Sequence, residues 1–574
     1  MSLALNTTAS TGLQDLVRQM RSPSELMQPE RLASIQPSRI SASRALISRA
    51  IRERWQIVCT RFDIDSRGNG VAQYRIDIGS WRFSFPVFSK EPSPEGRTGR
   101  IIGRSWDMMG ALIEGNLSDA DFATTQIELP KLYEGRATPG TLIWCRSNRS
   151  GRFFNHALNA LASGHQPDVA ELAQTCYLMR NTGLDGNGTF GTRSFLSLEA
   201  DHPLRASLSA QMLCAYMMRV FAQDLLGHLA RAASSKSVEM AGSLRRFLGV
   251  GNGSALGLML FVNNHPRLID RWLWIREEAL ARARTLSPSV AQIETLATLL
   301  DKAIAFRRQD RAAYEAVASS AVVADSLDTI RTEVRAMLER VRGGQLQRAQ
   351  PFAALCTSLE GRVHQEAIET LYSLLIELVP EEADALAQSL VIDEELTLRP
   401  DMRVGRLREI VRNDYAWAFA MNIAEEAACY VWYKSVTAEE PRRGPREEVG
   451  HAINLALDLP RQVVKLEADL AKYDPSFSTA AFLLANPWYR AIVTRVQALH
   501  GTHFHSPHAD IMSEGFVPAH ITRLLNVGIH GIDKTRDFLN RNLRGVLFHG
   551  APTPEDVTNG CADPYWYYPA EPTL

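Results

Sequence analysis

The sequence has few cysteines and no long apolar run. Its seven cysteines are an odd number, lie far apart and form no Cys-x-x-Cys pair. This distribution argues against a disulfide framework and against a thiolate zinc site. The most apolar stretches, residues 256–262 and 371–379, are less than half the roughly 20 residues needed to cross a bilayer. We therefore predict no membrane-spanning segment.

An excess of charge of either sign is also missing. The 574 residues include 63 basic and 64 acidic side chains, which gives a formal net charge of −1. A dedicated nucleic-acid binder usually has a basic excess, so a nucleic-acid partner is not expected. The amino terminus lacks a basic segment followed by an apolar core, so we expect no secretory signal and a cytoplasmic location. A content of 45% hydrophobic and 22% charged residues is that of a soluble globular protein.

Two kinds of periodicity divide the chain. Residues 56–88 contain three β patterns separated by turns, and Trp81, Phe83, Phe85 and Val87 alternate with their neighbours as in a half-buried strand. The two-residue Gly79-Ser80 link suits a tight hairpin. From about residue 150 the 3.6-residue helical period dominates. The predicted fold class is α+β and predominantly α-helical, with a small antiparallel sheet near the N-terminus followed by a large helical body.

We predict four parts from these patterns. They are a basic helical arm (1–55), a small antiparallel β region (56–150), a helical body with two glycine-rich loops (151–435) and a C-terminal helical, histidine-rich region with an aromatic tail (448–574). The arm is expected to form either a solvated basic face or a docking surface for a polyanion or partner, through Arg39, Arg44, Arg49, Arg52 and Arg54.

The tail is rich in aromatic residues, at Tyr565, Trp566, Tyr567 and Tyr568. So much aromatic surface is costly to leave in water. We expect the tail to pack against the body or against a second subunit, and this makes a homodimer the favoured oligomeric state.

Two glycine-rich stretches, residues 186–191 and 251–254, share the pattern Gly-Asn-Gly-[Ser/Thr]. An apolar stretch follows the second one directly, so converging backbone N–H groups and the positive end of a helix would suit an anion. Neither stretch is a P-loop or a dinucleotide fingerprint. The alternative is that the glycines only permit positive φ or close packing. The candidate binding residues here are Asn187, Gly251, Asn252, Gly253 and Ser254.

Arginines flank the first glycine-rich stretch. Arg180 precedes it and Arg193 follows it. A guanidinium group is the natural bidentate partner of a carboxylate or phosphate, so both residues are candidate substrate-binding groups. A surface ion pair is the alternative for each of them.

The densest titratable cluster lies between His500 and Asp510. It holds four histidines and one aspartate in 11 residues. On an extended segment His503 and His505 would face the same side, as a metal-binding His-x-His pair does. Asp510, His508 or a distant carboxylate would complete a set of three ligands for zinc or iron. The same histidines, with His508, are instead candidates for metal-free acid/base catalysis. A polar loop at a helix end is the third interpretation.

One predicted helix carries carboxylates among aromatic residues. Asn422, Glu426 and Tyr430 follow an i, i+4, i+8 spacing, which predicts a polar seam inside the helical body. Glu426 is therefore a candidate catalytic carboxylate, with a structural ion pair as the alternative.

These candidates predict an enzyme that acts on a small anionic metabolite. The glycine-rich loops and an arginine would hold the anion, and the histidine-rich segment would act as acid/base or metal site. Lyase, hydrolase and oxidoreductase chemistry stay open, and a phosphate-bearing cofactor in the glycine loops is not excluded. The alternative is a non-catalytic helical interaction or scaffold protein, in which these features do not converge on one site.

Overall fold

The computed structural model describes most of the chain, and all structural statements below concern these residues. They are 19–90, 106–128, 140–182, 198–252, 265, 267–309, 320–344, 351–391, 397–420, 431–435, 441–444, 451–453, 459–504, 523–532, 534–536 and 544–573.

The strands form a nine-stranded sheet and a separate three-stranded sheet. The larger sheet has the order β1-β2-β3-β4-β5-β6-β7-β12-β11, and the smaller has the order β10-β8-β9. The strands are β1 Gln56–Ile64, β2 Gly70–Ile78, β3 Trp81–Ser89, β4 Met108–Glu114, β5 Thr141–Arg149, β6 Tyr177–Thr182, β7 Gly249–Asn252, β8 Val431–Ser435, β9 Pro441–Gly444, β10 His451–Ile453, β11 Lys534–Arg536 and β12 Arg544–Leu547.

Helices surround the larger sheet and extend beyond it. A π-helix at Leu524–His530 and a short 3₁₀ turn at Pro487–Tyr489 complete the helical elements. The α-helices are α1 Pro23–Leu26, α2 Pro29–Ser34, α3 Ala42–Glu53, α4 Asp119–Glu128, α5 Gly151–Ala162, α6 Val169–Leu172, α7 Ser209–Ala233, α8 Gly242–Phe247, α9 Leu268–Thr285, α10 Val290–Gln309, α11 Ser320–Arg342, α12 Phe352–Leu359, α13 Gln365–Ile376, α14 Pro380–Ser389, α15 Val404–Asp414, α16 Ala416–Ala420, α17 Leu459–Leu470, α18 Thr479–Ala485, α19 Arg490–Leu499 and α20 Pro554–Asn559.

The mixed α+β class is confirmed, but the prediction of a small sheet is wrong. The hairpin at Gly79-Ser80 is present, with Ile78 paired to Trp81. The sheet then continues through β6 and β7 to β12, so it is large and the helical dominance is moderate. Short buried strands such as β6 contain continuous apolar runs, and periodicity alone cannot separate such runs from helix. The predicted domain boundaries stay predictions.

Helix α7 crosses one face of the large sheet, here called the inner face. At its far end Asp224 accepts a 2.7 Å hydrogen bond from the Tyr74 hydroxyl of β2. Nearer its start, the Cys214 thiol is hydrogen-bonded to Cys145 of β5. At Gly110 of β4 an added Cβ would lie 3.2 Å from the Met218 sulfur, so this glycine permits close packing of helix on strand. The inner face belongs to the main hydrophobic core.

A buried layer of ion pairs ties the N-terminal segment to the helical body. Helix α13 contributes Glu366 and Glu369 to it, and Arg276 of α9 lies within it, fully buried. We call this set the arginine–carboxylate layer; it consists of Arg21, Arg31, Arg39, Arg44, Arg276, Arg307 and Arg523 with Glu277, Glu366, Glu369, Glu377 and Asp384.

Of the five arginines predicted to form a basic face, Arg39 and Arg44 are therefore not solvated, whereas Arg52 and Arg54 are exposed. Arg44 is buried and pairs with Glu377, while Arg39 pairs with both Glu377 and Asp384. Each charge meets a partner more than 330 residues away along the chain. The sequence predicted solvated arginine side chains, because carboxylate partners that lie so far away along the chain cannot be recognised from the sequence alone.

The aromatic tail packs against the body of the same chain. Trp566 and Tyr567 are buried, and the Arg44 guanidinium lies 3.0 Å from the centre of the Tyr567 ring. This contact confirms the expected packing on the body. It also removes the exposed aromatic surface from which the homodimer was inferred, so the homodimer stays a prediction.

Candidate functional site

Among the strands that the structure describes, β6 and β7 are the only parallel neighbours. Arg180 is paired with Gly251 and Asn181 with Asn252. The carboxyl ends of parallel strands meet at one edge of a sheet, so both strands end at the same edge. The two glycine-rich stretches follow these strand ends in the chain. Residues that are about 70 positions apart in sequence are thus brought together, as the predicted anion site requires.

Gly251 lets two side chains of β6 lie across β7. A Cβ at Gly251 would be 2.8 Å from Cγ of Arg180 and 2.9 Å from the Tyr177 ring, which is closer than real Cβ contacts allow. The absence of a side chain therefore positions the half-buried Arg180 over the backbone of β7. Arg180 and Gly251, two predicted site residues, are direct neighbours.

The next residue of β6, Asn181, points to the opposite face of the sheet. It is 3% exposed, and neither its amide nitrogen nor its amide oxygen has a hydrogen-bond partner. Its cross-strand neighbour on β5 is Ser147, which is fully buried and has an unpartnered hydroxyl. Buried polar atoms of this kind cost about 1–3 kcal/mol each when left unsatisfied. Native proteins therefore leave few of them.

Helix α7 adds a third polar side chain to this end of the inner face. Ser147 lies two residues beyond Cys145 on β5, and Gln211 lies one turn before Cys214 on α7. Cys145 and Cys214 are in contact, so Ser147 lies one strand repeat and Gln211 one helical turn from the same point of contact. The Gln211 side-chain oxygen is buried and unpartnered. We call Ser147, Asn181 and Gln211 the unpaired polar cluster.

Charged side chains of both signs lie on these strands and beside them. Strands β5 and β6 carry Arg146, Arg149 and Arg180, and the segment before β4 carries Asp107. Asp107 is engaged with the backbone, since its Oδ2 accepts a 2.8 Å hydrogen bond from the Arg149 N–H. The Asn148 side-chain oxygen in turn accepts a 2.9 Å bond from the Asp107 N–H.

His500, at the start of the histidine-rich segment, has a structural role. It follows the last residue of α19, and its Nδ1 lies 2.9 Å from Oδ2 of Asp414. A guanidinium nitrogen of Arg406 lies 3.1 Å from its Nε2. Because arginine can only donate, Nε2 accepts and Nδ1 donates its proton to Asp414. Both ring nitrogens are thus engaged.

His503 lies against the first turns of α9. Its ring is edge-on to Trp274, with 5.1 Å between centroids. The adjacent Phe504 donates a 2.7 Å backbone hydrogen bond to Oδ1 of Asp270, and Arg267 donates a 3.1 Å bond to the Ala498 carbonyl. The start of α9 therefore holds the segment that carries His503.

The structure places four of the predicted site residues. It brings Arg180, Gly251 and the backbone of Asn252 together, and it places His503 at the start of α9. The other predicted residues lie outside the described part of the chain; they are Asn187, Arg193, Gly253, Ser254, Glu426, His505, His508 and Asp510. In the described ranges no three His, Cys, Asp or Glu side chains are grouped so that they could hold a metal ion. The metal site at His503, His505 and Asp510 stays a prediction.

Sequence reasoning missed the unpaired polar cluster. Its one visible sign is that Arg180 and Asn181 interrupt the apolar β6 strand. The sequence does not show that β6 and β7 pair in parallel. This pairing is what brings the ends of the two strands to one edge of the sheet.

No family model, no curated protein and no solved structure matches this chain. Within the ranges described above, no helix combines the length and the apolar character needed to span a membrane.

Proposed function

We propose that the protein is an enzyme that acts on a small anionic metabolite, bound at the carboxyl ends of β6 and β7. The observation that supports this most strongly is the unpaired polar cluster. Three buried side chains there offer four polar atoms that no protein group satisfies. A polar ligand at this edge would supply the missing hydrogen bonds.

The geometry also supports an anionic ligand. Arg180 lies on one face of the edge and Asn181 on the other, so a molecule beyond the strand ends meets a charge from one side and an amide from the other. Ligands in open sheets with parallel strands bind in this position, outside the carboxyl ends. In this role Arg180 binds a carboxylate or phosphate, and Asn181 donates to and accepts from the polar part of the molecule.

In this proposal the histidine-rich segment supplies the chemistry. His503 is the acid/base candidate that lies in the described part of the chain, and the backbone bond from Phe504 to Asp270 fixes its segment on α9. His505 and His508, with Glu426, are the further candidates from the sequence. A zinc or iron ion on His503, His505 and Asp510, and a phosphate-bearing cofactor at residues 251–254, are the two variants of this proposal.

One observation favours the alternative of an interaction protein. Helices α15–α19 form a second hydrophobic core of their own. On its surface Leu484 is 86% exposed and Trp488 is 65% exposed. Exposed large apolar side chains that lie close together are typical of protein contact sites.

The proposal is tested by incubating the protein with the small-molecule fraction of a cell extract and following each compound by mass spectrometry. We expect one carboxylate- or phosphate-bearing compound to be consumed, and Arg180→Gln and His503→Asn to slow its consumption at least tenfold. Arg67→Gln and His165→Asn are matched controls, because both residues are exposed and far from the site in sequence. They should retain the activity.

Two results would contradict the enzyme proposal. One is that no compound is consumed, and the other is that all four variants lose activity equally. In the first case, a protein partner that is lost in Trp488→Ala would support the interaction protein.

A further inference from the structure

A second concave site lies on the outer face of the large sheet, opposite α7. It is a cavity of about 240 Å³ between β2, β3, β4 and helix α4, and its opening is partly exposed to solvent. Its lining residues are Gly70, Phe88, Ser89, Lys90, Trp106, Met109 and Gln126.

The floor of this cavity is apolar and rigidly packed. Phe88 and Met109 are buried members of the small hydrophobic cluster on the outer face. Phe88 packs against Phe122 of α4, with 5.4 Å between ring centroids. Trp106 forms a half-exposed wall of the same cluster. An aromatic ring or short hydrocarbon would fit these walls, since aromatic and thioether side chains favour such contacts.

Among the described lining residues, Lys90 is the one that carries a positive charge. The ammonium nitrogen of Lys90 lies 4.3 Å from the centroid of the Trp106 ring, and the Lys90 backbone N–H donates a 2.8 Å hydrogen bond to the Asp107 carbonyl. No carboxylate of the described ranges forms an ion pair with Lys90. The ammonium group is therefore held at the opening by the tryptophan and the strand, with its charge available to a ligand.

The polar groups at the rim are few. The Ser89 hydroxyl donates its proton to the Gly68 carbonyl at 2.7 Å, which leaves its oxygen as an acceptor only. Gln126 is exposed on α4. A single cation above an apolar floor matches a ligand with one negative charge and an apolar body. A multiply charged phosphate would meet only Lys90 among the cations of the described lining residues, and it would leave the apolar floor uncovered.

We propose that this cavity binds a small aromatic carboxylate, with its ring against Phe88, Trp106 and Met109 and its carboxylate on Lys90. The volume equals that of about eight water molecules, which suits a single ring with a carboxylate. The site is separate from the strand-end site, because two strands lie between Phe88 on β3 and Arg180 on β6. It goes beyond the proposed function and does not depend on it.

The test uses the full-length protein with benzoate as the probe, followed through the ¹³C-methyl signal of Met109, which is assigned with Met109→Leu. We expect a saturable shift of this signal with benzoate, and at least tenfold weaker binding of benzyl alcohol and of inorganic phosphate. Lys90→Gln should weaken benzoate binding at least tenfold and leave the binding of benzyl alcohol unchanged. Lys236→Gln, at an exposed lysine elsewhere, is the matched control and should bind benzoate normally.

A second variant blocks the cavity without touching its floor. Gln126→Trp on the exposed side of α4 should abolish the benzoate shift while the protein keeps its thermal stability. The proposal is overturned if benzoate gives no saturable shift up to its solubility limit. It is equally overturned if benzyl alcohol or phosphate binds as well as benzoate, or if Lys236→Gln weakens binding as much as Lys90→Gln.

Discussion

Two buried polar regions of this molecule differ in how their polar side chains are paired. In the arginine–carboxylate layer every carboxylate meets at least one guanidinium group, and Glu369 meets three, those of Arg21, Arg31 and Arg276. In the unpaired polar cluster, buried amide and hydroxyl groups meet no protein partner at all. The first region holds distant segments of the chain together. The second region contains hydrogen-bond donors and acceptors that no described protein group uses, as a binding site for a polar ligand requires.

The two regions also differ in charge. The arginine–carboxylate layer buries ionised side chains, and the unpaired polar cluster buries neutral ones. Burial alone would raise the pKa of Glu277, but Arg21 and Arg276 offset this and hold the pKa below its ordinary value. Burial likewise opposes ionisation of Glu366, and Arg523 and Arg307 hold its pKa low. In the arginine–carboxylate layer, the buried carboxylates are all paired with guanidinium groups. The unpaired side chains are neutral, so burying them costs far less than burying an unpaired charge would.

The largest expected effect comes from breaking the paired region. Arg276→Met should lower the free energy of unfolding by about 3–5 kcal/mol, because Glu277 and Glu369 would each lose a partner in a fully buried position. Urea unfolding measures this loss. Arg342→Met removes a half-exposed partner of Glu294 and should cost at most about 1 kcal/mol. Similar losses in the two variants would mean that the layer is not a strong constraint.

The layer should also make stability depend on acid pH. The folded-state pKa of Glu366 lies below its ordinary value near 4.5, so its contribution is present above that pH and is lost as the pH falls through the lower folded value. We expect the free energy of unfolding to fall as the pH drops below about 4.5, and to fall less steeply in Glu366→Gln. Glu377 is unsuitable for this test, because burial outweighs Arg44 and Arg39 and raises its pKa.

The control for the acid dependence is Glu339→Gln, which removes an exposed carboxylate that is only loosely paired. It should keep the pH profile of the parent protein. Identical slopes for Glu366→Gln and the parent would show that this buried carboxylate does not drive the acid loss.

A matched pair of asparagines sharpens the contrast between the two regions. Asn148→Leu removes the amide that accepts the Asp107 N–H and should cost about 1–3 kcal/mol. Asn181→Leu removes an unpartnered amide and should leave the ligand-free protein equally stable, or more stable by about 1 kcal/mol, while abolishing ligand binding. Thermal unfolding with and without added anions measures both effects. Equal losses for the two variants would show that Asn181 is satisfied inside the protein.

The smallest effect is expected from a pair of buried serines. The Ser84 hydroxyl donates to the Gly115 carbonyl at 2.8 Å, so Ser84→Ala should cost about 1 kcal/mol. Ser147→Ala removes an unpartnered hydroxyl and should change the stability by less than about 0.5 kcal/mol. Urea unfolding of both variants under one condition gives the difference. A loss in Ser147→Ala as large as that in Ser84→Ala would contradict the assignment.

Local features of the fold were predictable from the sequence, and distant pairings were not. The Trp81–Val87 alternation predicted strand β3 and its hairpin correctly, because both depend on neighbouring residues. The short strand β7 was missed because its partners are β6, about 70 residues earlier, and β12, about 300 residues later. Likewise, the sequence alone predicts that Arg44 is a surface residue, because it does not show that Arg44 forms an ion pair with Glu377 in the folded protein.

The candidate site shows the same limit. Arg180 and Gly251 were predicted separately from their residue types, and only the parallel register shows that they are neighbours. Asn181 was not among the predicted site residues, because an asparagine in a strand has no chemical signature of its own. Its significance comes from burial without a partner, which depends on the three-dimensional structure.

The central claim is that the unpaired polar cluster belongs to a ligand site, and one measurement tests it most directly. The protein, purified without an affinity tag, is denatured, and the released small molecules are identified and counted by mass spectrometry, for the parent protein, Asn181→Leu and Asn148→Leu. We predict one anionic compound near a 1:1 ratio in the parent and in Asn148→Leu, and none in Asn181→Leu. An equal yield of that compound from Asn181→Leu, or no compound from the parent, would contradict the claim.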